Sequence, residues 1–284
     1  MTVFLVLVIG IGWMVSWYMD SPIILYIAVA LAVFMNVYSY WNSDKLVVRL
    51  TGAVEADPGR FLELHRLVEN LAITAGLPKP RVYIVDDPAP NAFATGRDPQ
   101  HGIVAVTTGL LAILNRTELE GVIAHELSHI GNRDILVSTV AVVLAGFIAL
   151  LSDFFLRFLF FGGGQRDRNV SPVVLIIGLV AIILAPIAAS LVQLAVSRKR
   201  EFLADASGAL LTRYPDGLAS ALKKIQQHGK QMQRASHATA HLFIANPFGA
   251  QRGIGASLNK LFSTHPPVEE RISALMGGKQ PTAS

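Results

Sequence analysis

Apolar residues in this chain follow two patterns, and each predicts a different kind of element. Four long blocks carry no charged residue: Met1–Met19, Ser21–Ser43, Ile135–Ser152 and Asn169–Ser197. Each reaches the roughly 17–25 residues that a bilayer-spanning helix needs. The blocks predict four transmembrane helices. The first two form a hairpin turning at Asp20-Ser21-Pro22, and the fourth is kinked at Pro186. The first block has no basic stretch before it and no small-residue cleavage site after it, so it does not read as a cleaved signal.

Elsewhere the periodicity is short. From Pro58 to Ala75, Phe61, Leu62, Leu64, Leu67, Val68 and Leu71 recur at helical spacing, and Gly76-Leu77-Pro78 stops the helix. Arg81 to Val85 alternates and is β-branched, a strand. Asp86 to Pro90 is a turn. Asn91 to Thr95 reads as a short strand and Gly102 to Thr107 as a clearer one. Gly109–Asn115, Glu201–Thr212 and Gly217–His228 read as helices, and Gly229–Lys260 as irregular. The expected fold class is an α+β membrane protein. Residues 1–43 are a transmembrane hairpin, and 44–134 the first part of a polar domain. Residues 135–197 are two further spans with a short outer loop, and 198–284 complete the polar domain.

Composition supports burial of much apolar surface. Hydrophobic residues make up 52% and charged ones only 15%, against about 25% charged in an ordinary soluble domain. Cysteine is absent, which removes disulfides, thiolate metal sites and cysteine nucleophiles. Any metal must be held by His, Asp or Glu. The net charge is +4. With four spans, nearly all Lys and Arg fall on one side, including Arg198-Lys199-Arg200. The positive-inside rule makes that side cytoplasmic, and its basic face suits anionic headgroups of a bilayer. Basic residues interleaved with aromatics are missing, so no nucleic acid is expected as partner.

The candidate chemistry begins at Thr117. Thr117 and Glu120 form a capping-box signature, and the helix that follows carries His125-Glu126-Leu127-Ser128-His129. His125 and His129 fall one turn apart on one face, where two imidazoles can share a zinc ion. Glu126 lies about 100° round the helix. There it reaches a water beside the metal rather than the metal itself, as a general base should. Zinc needs a third protein ligand. The segment Arg198–Asp205 returns the chain to the side of the His helix, and Glu201 and Asp205 are four apart on one helical face. Glu201 is the better ligand candidate, and Asp205 suits a hydrogen bond to a ligand imidazole. His228, His237 and His241 read as surface or loop residues.

His125–His129 followed by Gly131-Asn132-Arg133-Asp134, and then Glu201-Phe202-Leu203-Ala204-Asp205, resembles the HtpX family of membrane zinc metalloproteases, relatives of the CAAX prenyl endopeptidases. Asn91–Gly96 and Ser263–Ile272 carry the same likeness. Ser128 stands where many members have Gly. The resemblance implies one Zn²⁺ per subunit on His125, His129 and Glu201, with Glu126 catalytic and Asp205 in support. It implies a gluzincin-like, zincin-type protease domain with a small β-sheet. It also places Asn91 at a strand edge that binds the substrate backbone, and His265 and Arg271 near the zinc or the transition state. The implied role is hydrolysis of peptide bonds in misfolded or damaged membrane proteins, or in unfolded polypeptides, as part of quality control and the stress response. A prenyl-protein endopeptidase is the alternative within the same chemistry. A zinc-binding scaffold without turnover is a rival from another class, and so is a transporter built on the four spans.

Overall fold

The computed structural model describes residues 20–139, 198–234, 239–249 and 266–277, with a few positions before Asp20. The chain divides into two compact units, one of residues 1–43 and 140–192, the other of 44–139 and 193–284. Helix α1 (Pro22–Thr51) opens on a proline, whose missing N–H costs nothing at a first helical position.

Among the described residues no helix is long and apolar enough to cross a membrane. This corrects the expectation of four transmembrane helices. The readings that rested on it are corrected with it: the bilayer as partner, a membrane-bound enzyme, and a multi-pass location facing the cytoplasm. The second uncharged block lies in α1, and the physical reason is visible there. Absence of formal charge is a weaker criterion than apolarity. From Asn36 to Ser43 the block is mostly amide and hydroxyl side chains, and the same helix continues through Asp44, Lys45 and Arg49. Polar groups are costly to place in hydrocarbon even when uncharged. Nearly all of the first block and the third and fourth blocks beyond Thr139 lie outside the described residues.

The second unit is an α+β layer. Its strands are β1 (Val54–Glu55), β2 (Arg81–Val85), β3 (Ala92–Thr95) and β4 (Ile103–Thr107), in the order β1-β2-β4-β3. β2 and β4 run parallel in the register Arg81 to Ile103, while β1 and β3 pair antiparallel with their neighbours. β3 is thus an edge. Every residue of β4 is buried, which is why Ile103–Thr107 is an apolar run rather than an alternating one.

Helices α2 (Leu62–Thr74), α3 (Thr108–Ile113), α4 (Arg116–Gly131), α5 (Arg198–Thr212), α6 (Pro215–Gln227) and α7 (Val268–Leu275) complete the unit. Leu64, Leu67, Val68 and Leu71 of α2 bury the stripe that the sequence pattern predicts. They share one core with Val122, Ile123, Leu127 and Ile130 of α4 and Leu218, Leu222 and Ile225 of α6. α4 is the central helix, buried on nearly every side. Two glycines let backbones close on it. A Cβ at Gly121 would sit 2.6 Å from the Leu218 backbone nitrogen, and one at Gly208 of α5 would sit 3.0 Å from that of His125.

The start of α4 differs from the sequence expectation by two residues. The cap is Asn115, not Thr117: its side chain accepts from the Glu118 N–H, and the Glu118 carboxylate accepts from the Asn115 N–H. Asn115-x-x-Glu118 and Thr117-x-x-Glu120 both satisfy the motif. Burial decides between them, because Glu118 also accepts from Ser220 Oγ at 2.7 Å and Lys224 Nζ at 2.8 Å of α6. Burial works against its charge, but these donors and the Asn115 N–H hold the carboxyl below its ordinary 4.5. A carboxyl with a lowered folded pKa stabilises above its unfolded pKa, and that contribution disappears as pH falls through the folded value.

Glu118→Gln should therefore destabilise the protein at pH 7 by about 1–3 kcal/mol. The gap from the wild type should close as urea melts are repeated at falling pH below about 4.5. Gly121→Ala should lower stability by about 1–3 kcal/mol through overpacking against α6, read by the same melts.

Candidate metal centre

Three elements meet at the C-terminal half of α4. His125 and His129 stand one turn apart, their Nε2 atoms 3.2 Å from each other. Glu201, in the first turn of α5, brings Oε2 to 3.9 Å from His125 Nε2 and Oε1 to 3.5 Å from His129 Nε2. The ligand atoms of His125, His129 and Glu201 all lie within 4.8 Å of one another. The close approach at Gly208 brings α5 this near to α4.

Each imidazole is turned by a carboxylate at its far nitrogen. Asp205 Oδ1 lies 2.9 Å from His125 Nδ1, and Asp134 Oδ2 lies 3.2 Å from His129 Nδ1. An Nδ1–H donating to a carboxylate leaves Nε2 as a lone pair. The two Nε2 atoms then face each other beside the Glu201 carboxylate, where a proton or a metal cation must sit between them. The electrostatics agree. Burial alone would lower the His129 pKa, yet Asp134, Glu201 and Glu126 raise it to about 9. Burial takes His125 down to about 4 against the pull of Asp205. The cluster therefore suits a zinc site of nitrogen and oxygen donors.

Asp205 is in turn gripped by Arg271 of α7, whose Nε and Nη2 donate to the two carboxylate oxygens at 2.8 and 2.6 Å. Burial resists charge on Asp205, but the guanidinium and the His125 ring hold its pKa down to about 2. Arg271 is 1% exposed. Glu126 lies beside the ligands and is 2% exposed. Burial pushes its carboxyl up to about 7; Glu201 adds to the rise, while His129, Arg271 and the Ala94 N–H of β3 oppose it.

The structure gathers His125, Glu126, His129, Glu201, Asp205 and Arg271 into one site. Asn91 is placed differently from its expected position on an open edge. Its Oδ1 accepts from the Ala245 N–H at 3.1 Å, and its Nδ2 donates to the Ala245 carbonyl at 3.0 Å. His265 and His237 lie outside the described residues. His228 is exposed, as expected of a surface residue, but His241 is 4% exposed, lines the metal cleft, and has Nε2 at 3.2 Å from the Ser138 carbonyl oxygen. Asp134 escaped the sequence reading as a supporting group. Its signal was five residues after His129: past the helix end, where Arg133 takes a positive φ of 60°, the chain turns back far enough to reach the ring.

Comparisons with known proteins agree with this geometry. Residues 58–278 match the model of peptidase family M48. A protein described as a protease HtpX homolog from Caldanaerobacter subterraneus subsp. tengcongensis is 49% identical over 279 residues, covering 96% of this chain and 91% of its own. Homologs of the same description from Pyrococcus furiosus and Tropheryma whipplei (strain Twist) are each 51% identical. They cover 95% and 94% of this chain, and 90% and 89% of theirs. The crystal structure of Ste24p from S. mikatae superposes with a TM-score of 0.51 at 19% identity, covering 88% of this chain and 57% of that one, a likeness of fold. The chain belongs to peptidase family M48, among its HtpX-type members. With the His125–His129–Glu201 cluster, this makes it a zinc metalloendopeptidase.

Asp134→Asn should weaken zinc affinity about 10–100-fold, measured by competition with a chromogenic chelator.

Proposed function

We propose that the protein cleaves internal peptide bonds of unfolded or misfolded polypeptides, with Glu126 as general base and a single Zn²⁺ held by His125, His129 and Glu201. Zinc in that position supplies Lewis acidity, polarising a peptide carbonyl and acidifying water. Glu126 takes the proton of the attacking water at its carboxylate and delivers it to the leaving amine nitrogen as the C–N bond breaks. Burial raises the proton affinity of that carboxylate, which suits a group that must take up a proton and later release it. The Ala94 N–H fixes the orientation of that carboxylate.

His125 and His129 are oriented by Asp205 and Asp134. Arg271 acts through Asp205, holding it ionised and in place, and Asn91 secures the strand beside β3. The observation that carries the reading is the placement of Glu126: it is the one carboxylate of α4 that faces the ligand cluster while accepting a bond from the sheet edge. Main-chain pairing along that edge reads few side chains, so broad specificity toward extended chains is expected.

Glu126→Gln should retain full zinc content and lower cleavage of unfolded casein about 10²–10⁴-fold. Metal analysis and a gel assay on the same samples measure both. Persistent cleavage at equal zinc would remove Glu126 from the mechanism.

A further inference from the structure

A substrate that pairs with the outer edge of β3 must find that edge open, and here the chain itself occupies it. Phe243 forms an antiparallel bridge with Phe93. The Ile244 N–H donates to the Ala92 carbonyl at 2.9 Å, and Asn91 closes both polar groups of Ala245. The Phe93 and Phe243 rings meet edge to face at 5.1 Å. From behind, Arg271 Nη1 donates to the Ile244 carbonyl at 3.3 Å. Just before this strand-like piece, His241 and Leu242 turn over the cleft. With Ile244 they line it against Glu126, His129 and Glu201.

The carboxylates beneath it are buried. Glu126 is 2% exposed and Glu201 5%, although a general base must come within about 3 Å of its reacting partner. A polypeptide cannot reach that depth past an edge already paired.

We propose that Leu242–Ala245 is a built-in substitute for the substrate strand, and that the structure is the latent state of the enzyme. This rests on the endopeptidase reading above. An incoming extended chain replaces the main-chain bonds of Ile244 one for one, so the exchange costs little in hydrogen bonding. What opposes it is the burial of the Phe243 ring and the Asn91 amide clamp. Only a segment with a free backbone can make the replacement, so a folded protein does not open the site. Latency and the preference for unfolded chains therefore share one cause.

The absence of cysteine makes the test clean. Ala92 and Ile244 face each other across the bridge. Opposed residues of an antiparallel pair have Cα atoms about 5.5 Å apart, within disulfide range. The zinc-loaded double variant Ala92→Cys, Ile244→Cys, oxidised with glutathione disulfide, should cleave unfolded casein at less than about one tenth of the rate of the same sample after dithiothreitol, at equal zinc. Oxidised and reduced rates within twofold would make the segment a fixed wall and overturn the proposal. A second measurement needs neither turnover nor cysteines. In zinc-loaded Glu126→Gln, saturating unfolded casein should speed amide exchange at residues 242–245 at least about tenfold, and unchanged exchange overturns the latch. Failure of the endopeptidase reading looks different: no cleavage by the wild type or the reduced variant, both fully zinc-loaded, whatever the exchange shows.

Discussion

The bidentate pair of Arg271 and Asp205 is the constraint on which the site depends. Both are buried, at 1% and 2% exposure. A buried ion pair is seldom worth much as net stability, yet removing one partner is severely costly because the other is left charged in a dry place. The pair therefore acts as a rule of assembly. α7 supplies the guanidinium, α5 the carboxylate, and α4 the imidazole that Asp205 turns. The same guanidinium reaches the Ile244 carbonyl. Four separate pieces of chain must be correct together or a full charge is stranded.

The sheet provides the complementary half. Because β4 runs parallel to β2 and the β3–β4 pair returns antiparallel, β3 is left at the edge beside α4. An edge is an unpaired row of donors and acceptors, a hazard in most proteins. This chain covers its exposed row with its own residues 243–245. That protects the molecule from strand-to-strand association and also governs entry to the metal centre.

Part of the geometry of the site is legible in the chain. The pair His125 and His129 with Glu126 follows from helical geometry, and strand 81–85 from β-branched alternation, because both are local patterns. What escaped the sequence needed tertiary information. The cap moved from Thr117 to Asn115 because α6 contributes Ser220 and Lys224 to Glu118, which no local motif records. Asp134 lay beyond the helix end, and only a left-handed residue at 133 carries the chain back. His241 sits in a stretch poor in periodicity, so nothing marked it as buried. Asn91 reads as an edge residue facing substrate, but its amide is taken by Ala245, 154 residues away. At α1 the absence of charge misleads for another reason: amide and hydroxyl side chains fill much of Asn36 to Ser43.

The distance along the chain between Arg271 and His125, 146 residues, also bears on how the molecule comes into being. Contacts that close such long loops form late, since their entropy must be met before they return anything. The supporting carboxylate of His125 is gripped only when α7 has docked, 66 residues beyond Asp205. A nascent or half-folded copy has the His-Glu-His sequence but no organised centre. Organisation of the centre is thus tied to completion of the tertiary structure.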